Sequence, residues 1–292
     1  MHEAMGKRLH YALWSMSYTA FPQSQNGTPR RRQTLLAMTL LLPISIQIYS
    51  LRDLGDLATQ LDVVAAAGYR HVELIGSQLD DAAATRAALE ARGLQASSSH
   101  VSMVALRERP ANVLAACKTL GFTQLFMPAV PAPERDSDGD YWLALGRELG
   151  ALAHRFAEEG IALGYHNHHW ELQPKAGGVN ALERLFQGAE GSPLTWQMDV
   201  AWLARGGADP LLWMKREAGR IVSLHAKDLA PTGEKLDEDG WADVGTGTLD
   251  WTTLARAGRD SGAQWLVAEH DKPNDPMRFA RNSQAFLSRL EA

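Results

Sequence analysis

From residue 43 onward, short runs of apolar and β-branched residues alternate with longer segments whose apolar residues recur at three- and four-residue spacing. This alternation constrains the fold more than any other feature of the chain. Candidate strands fall at 44–49, 71–74, 95–100, 124–128, 161–166, 195–199, 221–225 and 265–269. Amphipathic segments follow them at 56–67, 81–92, 111–120, 141–159, 179–186, 210–219, 251–262 and 276–290. Strands separated by helices run parallel, because each helix carries the chain back along the sheet. Gly68, Gly93, Gly121, Gly160 and Gly262 stand where the helices should end in left-handed caps. Eight such units fill one (β/α)8 TIM barrel of about 250 residues, so residues 43–292 read as a single α/β barrel domain. A doubly wound sheet would call for a Gly-x-Gly-x-x-Gly turn after its first strand or a Walker loop, and neither is present.

Residues 1–42 read as an N-terminal extension, disordered or an upstream mis-start, with Met38 an alternative first residue. Within it Arg30-Arg31-Arg32 precedes an apolar run at 34–42, a pattern similar to a twin-arginine export signal and the basis for a periplasmic alternative. The run leads straight into the first strand and leaves no small-residue cleavage site, so a cytoplasmic location is the simpler expectation. The lone Cys117 agrees, since it can form neither an intramolecular disulfide nor a thiolate metal site. With 29 Lys and Arg against 34 Asp and Glu, the net charge of -5 argues against nucleic acid as a partner. No other stretch reaches the roughly 18 apolar residues of a membrane span, so no membrane partner is expected.

A barrel of this kind carries chemistry at the C-terminal ends of its strands, over an interior expected to be apolar. Polar residues stand at those ends: Glu73, His100, His166 and His168, Asp199, His225 and Glu269. Two histidine nitrogens and two carboxylates, from His166, Asp199, His225 and Glu269, make a donor set suited to one divalent ion such as Mn, Co, Zn or Mg. Alternation along the fifth strand points His166 and His168 one way and Asn167 and His169 the other. Asp199 has a plainer use as the cap of a following helix. His225 and Lys227 share a face, which makes Lys227 a donor toward substrate or simply the partner of a neighbouring carboxylate. Glu269 suits a ligand, a proton acceptor or a partner of Lys227. Glu73, His100, Glu171 and Trp202 are the candidate substrate contacts, and Trp142, Trp170, Trp202 and Trp241 are candidates for stacking on a substrate ring or for packing. The segments 131–140 and 231–247 read as loops over the site, the second long enough to act as a lid.

Taken together, ISIQIYSLRD at 44–53, GYRHVEL at 68–74, the SSSH ending at His100, LGYHNHHWEL at 163–172, HAKD at 225–228, VGTGTLDW at 244–251 and VAEHD at 267–271 resemble the xylose-isomerase-like sugar isomerase and epimerase family. That group includes tagatose epimerases, inosose dehydratases and the endonuclease IV type. The resemblance implies one divalent metal held from strands five to eight, with Asp199, His225 and Glu269 at three ligand positions. At the fourth, where epimerases carry a Glu that serves as one of two acid/base carboxylates, this chain has His166. Where many epimerases have a His three residues after the Asp, it has Trp202.

The resemblance therefore implies a metal-dependent isomerase or epimerase acting on a sugar or keto-polyol through a metal-stabilised enediolate. His168 is its leading base, Glu269 the second, and Lys227 the oxyanion partner. An inosose dehydratase or keto-glycoside lyase on the same site is the alternative, and a non-catalytic sugar-binding barrel is a further one. A small sugar or polyol is the expected partner, and association into a homo-oligomer stays open.

Overall fold

A computed structural model of the chain describes residues 42–290. The expected extension and its arginine run lie outside the described residues, apart from Leu42, which is buried in the core. Eight parallel strands close into a barrel in chain order: Ile44–Gln47, His71–Leu74, Gln95–His100, Gln124–Met127, Ala162–His166, Thr195–Asp199, Ile221–Ala226 and Leu266–Ala268. The last strand pairs with the first in register Ser45 to Val267, which completes the ring. Helices stand between successive strands, and all five expected cap glycines take positive φ. Among the described residues no helix is long and apolar enough to cross a membrane.

The barrel interior departs from the expected apolar filling. Hydrogen bonds link strands that are not neighbours, and such bonds run through the barrel. Ser45 of the first strand meets Ser97 of the third at 2.7 Å, and Gln197 of the sixth donates to Glu73 of the second at 2.6 Å. Polar side chains satisfy one another inside the ring, as burial requires. The large apolar side chains of the strands, such as Ile46, Val72, Leu125 and Met198, join the core cluster that the helices share.

Several elements differ from the sequence reading. The first strand stops at Gln47, whose side chain accepts from the Tyr49 amide at 3.2 Å and opens a 3-10 helix, Ile48–Leu54. Short helices at Gly76–Leu79, Met103–Glu108 and Val200–Arg205 were not anticipated. Each is too short to show an apolar period. All lie on the C-terminal side, just after strands two, three and six. Glu269 falls one residue beyond its strand, yet its amide still reaches the Ala226 carbonyl at 3.0 Å.

The 231–247 segment is a fastened structure rather than a lid. Asp228–Leu229 pairs antiparallel with Trp241–Ala242. The Asp228 carboxylate accepts from the amides of Leu229, Gly245, Gly247 and Leu249. Arg278 on the last helix, Pro276–Leu287, donates to Glu238 and to Asp243, and Asn282 donates to Asp243. No residue of 231–247 lines the cavity described below.

Strands five and six, which carry His166 and Asp199, are spaced by the helix Ala181–Gly188, seated directly on the helix Gly139–Glu158. A Cβ on Gly146 would lie 1.9 Å from the Leu185 carbonyl oxygen, and one on Gly188 2.1 Å from that of Leu143. Gly146→Ala should therefore cost about 2 kcal/mol or more by overpacking, read as a lowered midpoint in urea. A midpoint equal to wild type would show that the helices do not need this contact.

Glu238 is buried, which alone would raise its pKa. Arg278, the Asn274 amide and Lys235 outweigh this and hold it down at about 2, from an ordinary 4.5. A depressed carboxylate contributes stability above its unfolded pKa and loses it as pH falls through the folded value. Thermal stability should therefore decline between about pH 4.5 and 2 more steeply in wild type than in Glu238→Gln. Parallel curves would remove this ion pair from the account.

Candidate functional site

Residues from the ends of strands two, three, five, six, seven and eight meet inside the barrel mouth. Glu73 is the deepest of them and fully buried. Its carboxylate accepts from Gln47 at 2.8 Å, Ser98 at 2.6 Å and Gln197 at 2.6 Å, and lies 2.6 Å from His225 Nε2 and 3.2 Å from His100 Nε2. Burial would raise its pKa, but His100 and His225 outweigh that and hold it well below the usual carboxylate range. Contrary to the expectation of a mouth residue, it does not line the cavity, and its contacts hold the histidines. Gln197 extends the same network, its Oε1 lying 2.7 Å from His100 Nε2 and 3.1 Å from His166 Nδ1. With their lower nitrogens engaged, the rings of His166 and His225 are fixed.

Their other nitrogens face two carboxylates. His225 Nδ1 lies 2.8 Å from Glu269 Oε2 and 3.9 Å from Asp199 Oδ2, and His166 Nε2 lies 4.0 Å from the same Asp199 oxygen. Among the described residues, His166, Asp199, His225 and Glu269 each offer one ligand atom, and these atoms lie within 4.8 Å of one another. Asp199 uses both of its readings at once. Oδ1 caps the helix Val200–Arg205 by accepting from the Trp202 amide at 2.8 Å, while the buried Oδ2 faces the cluster and has the Lys227 ammonium at 3.0 Å. Two oriented imidazoles and two buried carboxylates within this distance of one another make a nitrogen and oxygen donor set whose chemistry fits a divalent cation. Burial disfavours protonation of His225, but Glu269 and Glu73 outweigh it and raise its pKa to about 10. In the metal-free protein its proton is the positive charge between those carboxylates, and it must leave when a cation binds.

Lys227 is placed differently from the expected oxyanion donor. Its ammonium is fully buried and lies 3.0 Å from Asp199, 2.7 Å from Glu269 and 2.7 Å from Asp271. It does not line the cavity. Its geometry is that of a counter-charge to three carboxylates, the plainer of its two sequence readings. Burial works against its charge, yet those carboxylates hold its pKa above the ordinary value.

A cavity of about 710 Å³ opens over the cluster, lined at this end by His100, His166, His168, Glu269 and Asp271. His168 stacks on Trp170 with ring centroids 4.0 Å apart, and Arg135 covers the Trp170 ring at 3.7 Å. The His168 amide donates to Glu171 at 2.9 Å, and its Nδ1 has no partner. Protein surroundings and then the Lys227 charge lower its pKa well below 6.5, which leaves the ring neutral at pH 7. Glu171, expected to contact substrate, is fully buried behind this segment and bonded to the Tyr165 hydroxyl at 2.7 Å. Burial raises its pKa to about 7.

Trp202 packs on His169 and Trp241 and, like Trp142 and Trp241, is buried and absent from the cavity wall. Their role is packing. Asn167 points away from the barrel interior, as alternation requires, and ties strands five and six by accepting from Trp196 and from the Asp199 amide. Sequence reasoning missed Gln197 and Asp271. The same two-residue alternation that paired His166 with His168 places Gln197 with Asp199 and aligns Asp271 with Glu269.

Removing the anchor of His225 should loosen the site without touching a ligand. Glu73→Ala is expected to weaken binding of Mn or Zn about 10–100-fold, measured by competition with a chelator. Unchanged affinity in a folded variant would show that Glu73 does not orient the histidine.

Residues 61–290 match the family model described as "Xylose isomerase-like TIM barrel". The rhizopine catabolism protein MocC of Rhizobium meliloti is 28% identical over 170 residues, 53% of this chain and 51% of that protein, so the chain spans about half the length of this curated relative. Among solved structures, a sugar phosphate isomerase/epimerase from Parabacteroides distasonis ATCC 8503 superposes with a TM-score of 0.70 at 20% identity, over 87% of this chain and 96% of that one. The 3-keto-D-glucoside 4-epimerase YcjR of E. coli, in its apo form, gives 0.60 at 15% identity, over 85% and 99%. At those identities the two structures share the fold. The family model covers most of the chain, and the protein belongs to the xylose isomerase-like TIM barrel family.

Proposed function

We propose that the protein is a divalent-metal-dependent enzyme of the isomerase and epimerase type, which moves a proton at a carbon beside the carbonyl of a sugar or keto-polyol. The observation that carries this reading is the four-donor cluster of His166, Asp199, His225 and Glu269, two of which, His166 and Glu269, line one end of a cavity that His168 also lines. A cation held by these four residues would supply a Lewis acid that makes the carbon beside a carbonyl acidic. His168 is the group placed to take the proton. It is neutral, faces the cavity, and is held by the Trp170 stack and by the Glu171 carboxylate. Glu269 lies across the same end of the cavity, ionised because Lys227 and His225 outweigh the effect of burial. Lys227 acts by balancing the charge of the Asp199, Glu269 and Asp271 carboxylates.

One observation places elimination beside isomerisation as an outcome of the same proton transfer. Among the described residues the carboxylates that line this end of the cavity are Glu269 and Asp271, both from the end of strand eight and both 2.7 Å from the Lys227 ammonium. A two-carboxylate epimerisation, with one acid on each face of the carbon, thus lacks its second acid where His166 stands. A single base beside a polarised carbonyl serves isomerisation equally well as loss of a β-substituent.

Both outcomes begin with exchange of one carbon-bound proton. In deuterated water, metal-loaded protein should introduce deuterium beside the carbonyl of at least one member of a panel of ketohexoses and inososes, read by NMR. Retention of all substituents marks isomerisation, and loss of water marks elimination. His168→Ala should slow exchange about 10²-fold or more with metal content unchanged. Absence of exchange across the panel, or full exchange in His168→Ala, would contradict the respective assignments.

A further inference from the structure

We infer that the substrate carries an apolar substituent about the size of an aromatic ring beside its sugar or polyol part, and that this substituent binds in the half of the cavity remote from the metal cluster. The inference rests on the sugar chemistry proposed for the cluster end.

The cavity is larger than that chemistry needs. Its volume of about 710 Å³ lies within the range that encloses drug-sized ligands, whereas the cluster end is formed by five side chains at the tips of strands three, five and eight. The rest of the wall comes from the segments after strands one to four, and it is of a different character. Ile75, Leu79, Val101, Ala105, Val113 and Pro128 line it. Polar groups stand among them, Tyr49 and Asn112 as well as others bonded within the wall. The Ser102 hydroxyl caps the helix Met103–Glu108 through the Ala105 amide at 3.2 Å, Ser77 accepts from Gln78 at 3.0 Å, and Arg109 pairs with Asp80 at 3.1 Å.

A bare sugar presents a hydroxyl on nearly every carbon, and one pressed against the Ile75, Leu79, Val101, Ala105, Val113 and Pro128 side chains would give up its bonds to water without replacement. An aryl or similarly apolar group faces no such penalty and gains from removing its surface from water. The tryptophans do not supply an alternative, because Trp142, Trp202 and Trp241 are absent from the wall. The two ends therefore select a ligand of mixed character, polar at the cluster and apolar between the helices Gly76–Leu79 and Pro110–Leu120.

Matched methyl and phenyl pyranosides of glucose, galactose and xylose test this by calorimetry on the full-length, metal-loaded protein, with phenol as a probe of the apolar half alone. The phenyl member of a pair should bind at least about tenfold more tightly than the methyl member. Ala105→Trp, which fills the apolar half, should erase that difference and leave the methyl glycoside unaffected, and Ala129→Leu repeats the test from another part of the wall. Equal affinity within each pair, or a preference that survives both substitutions, would overturn the inference while leaving the sugar reading intact. Binding of phenol with no binding of any glycoside, where Ala105→Trp abolishes the phenol site, would uphold the apolar half and overturn the sugar reading. Binding of none of the probes would overturn both.

Discussion

The Glu73 carboxylate, buried inside the barrel, is the point on which the site depends. A charge removed from water must be paired and hydrogen-bonded, and Glu73 meets that demand by drawing in Gln47, Ser98, Gln197 and His225 from four other strands. Each of these partners is thereby held in one orientation. Gln197 passes the constraint on to His100 and His166, so three imidazoles at the mouth are set by one carboxylate beneath them. The polar interior of the barrel follows from the same requirement, because an apolar filling would leave this acid without partners.

Above that layer, charge balance organises the rest. Asp199 and Glu269 turn toward the His166 and His225 nitrogens, and the Lys227 ammonium meets the same two oxygens, with Asp271 as its third contact. Asp199 divides its two oxygens between the start of a helix and the cluster, which fixes the carboxylate as firmly as the histidines. The next residue along from Lys227, Asp228, fastens the 229–249 chain through four backbone amides. One short segment, His225 to Asp228, thus supplies a member of the four-donor cluster, a counter-charge and the tie that holds the neighbouring loop.

Much of this was legible in the sequence, and the reason is geometric. Strand and helix periods differ enough for eight alternations to define a closed barrel, and polar residues at strand ends stand out against apolar neighbours, which is how His166, Asp199, His225 and Glu269 were found. What was not legible depends on contacts between distant strands. Glu73 and Glu171 look like mouth residues until their burial is known, and Lys227 offers a free ammonium until three carboxylates are seen around it. The 231–247 segment is rich in Gly and charge and so resembles a mobile lid. Its fastening comes from Arg278 and Asn282, some 40 residues further along the chain. Short helices such as Val200–Arg205 carry too few residues for a period and show themselves only through their capping Asp.

The central claim is that four side chains from strands five to eight hold one divalent ion. Elemental analysis of the purified, exhaustively dialysed protein beside His225→Ala tests it most directly. The account predicts close to one equivalent of a divalent metal in the wild type, or its uptake on addition of Mn, Co or Zn, and none retained by the variant. A folded wild-type protein that takes up no metal, or a variant that keeps it, would contradict the account.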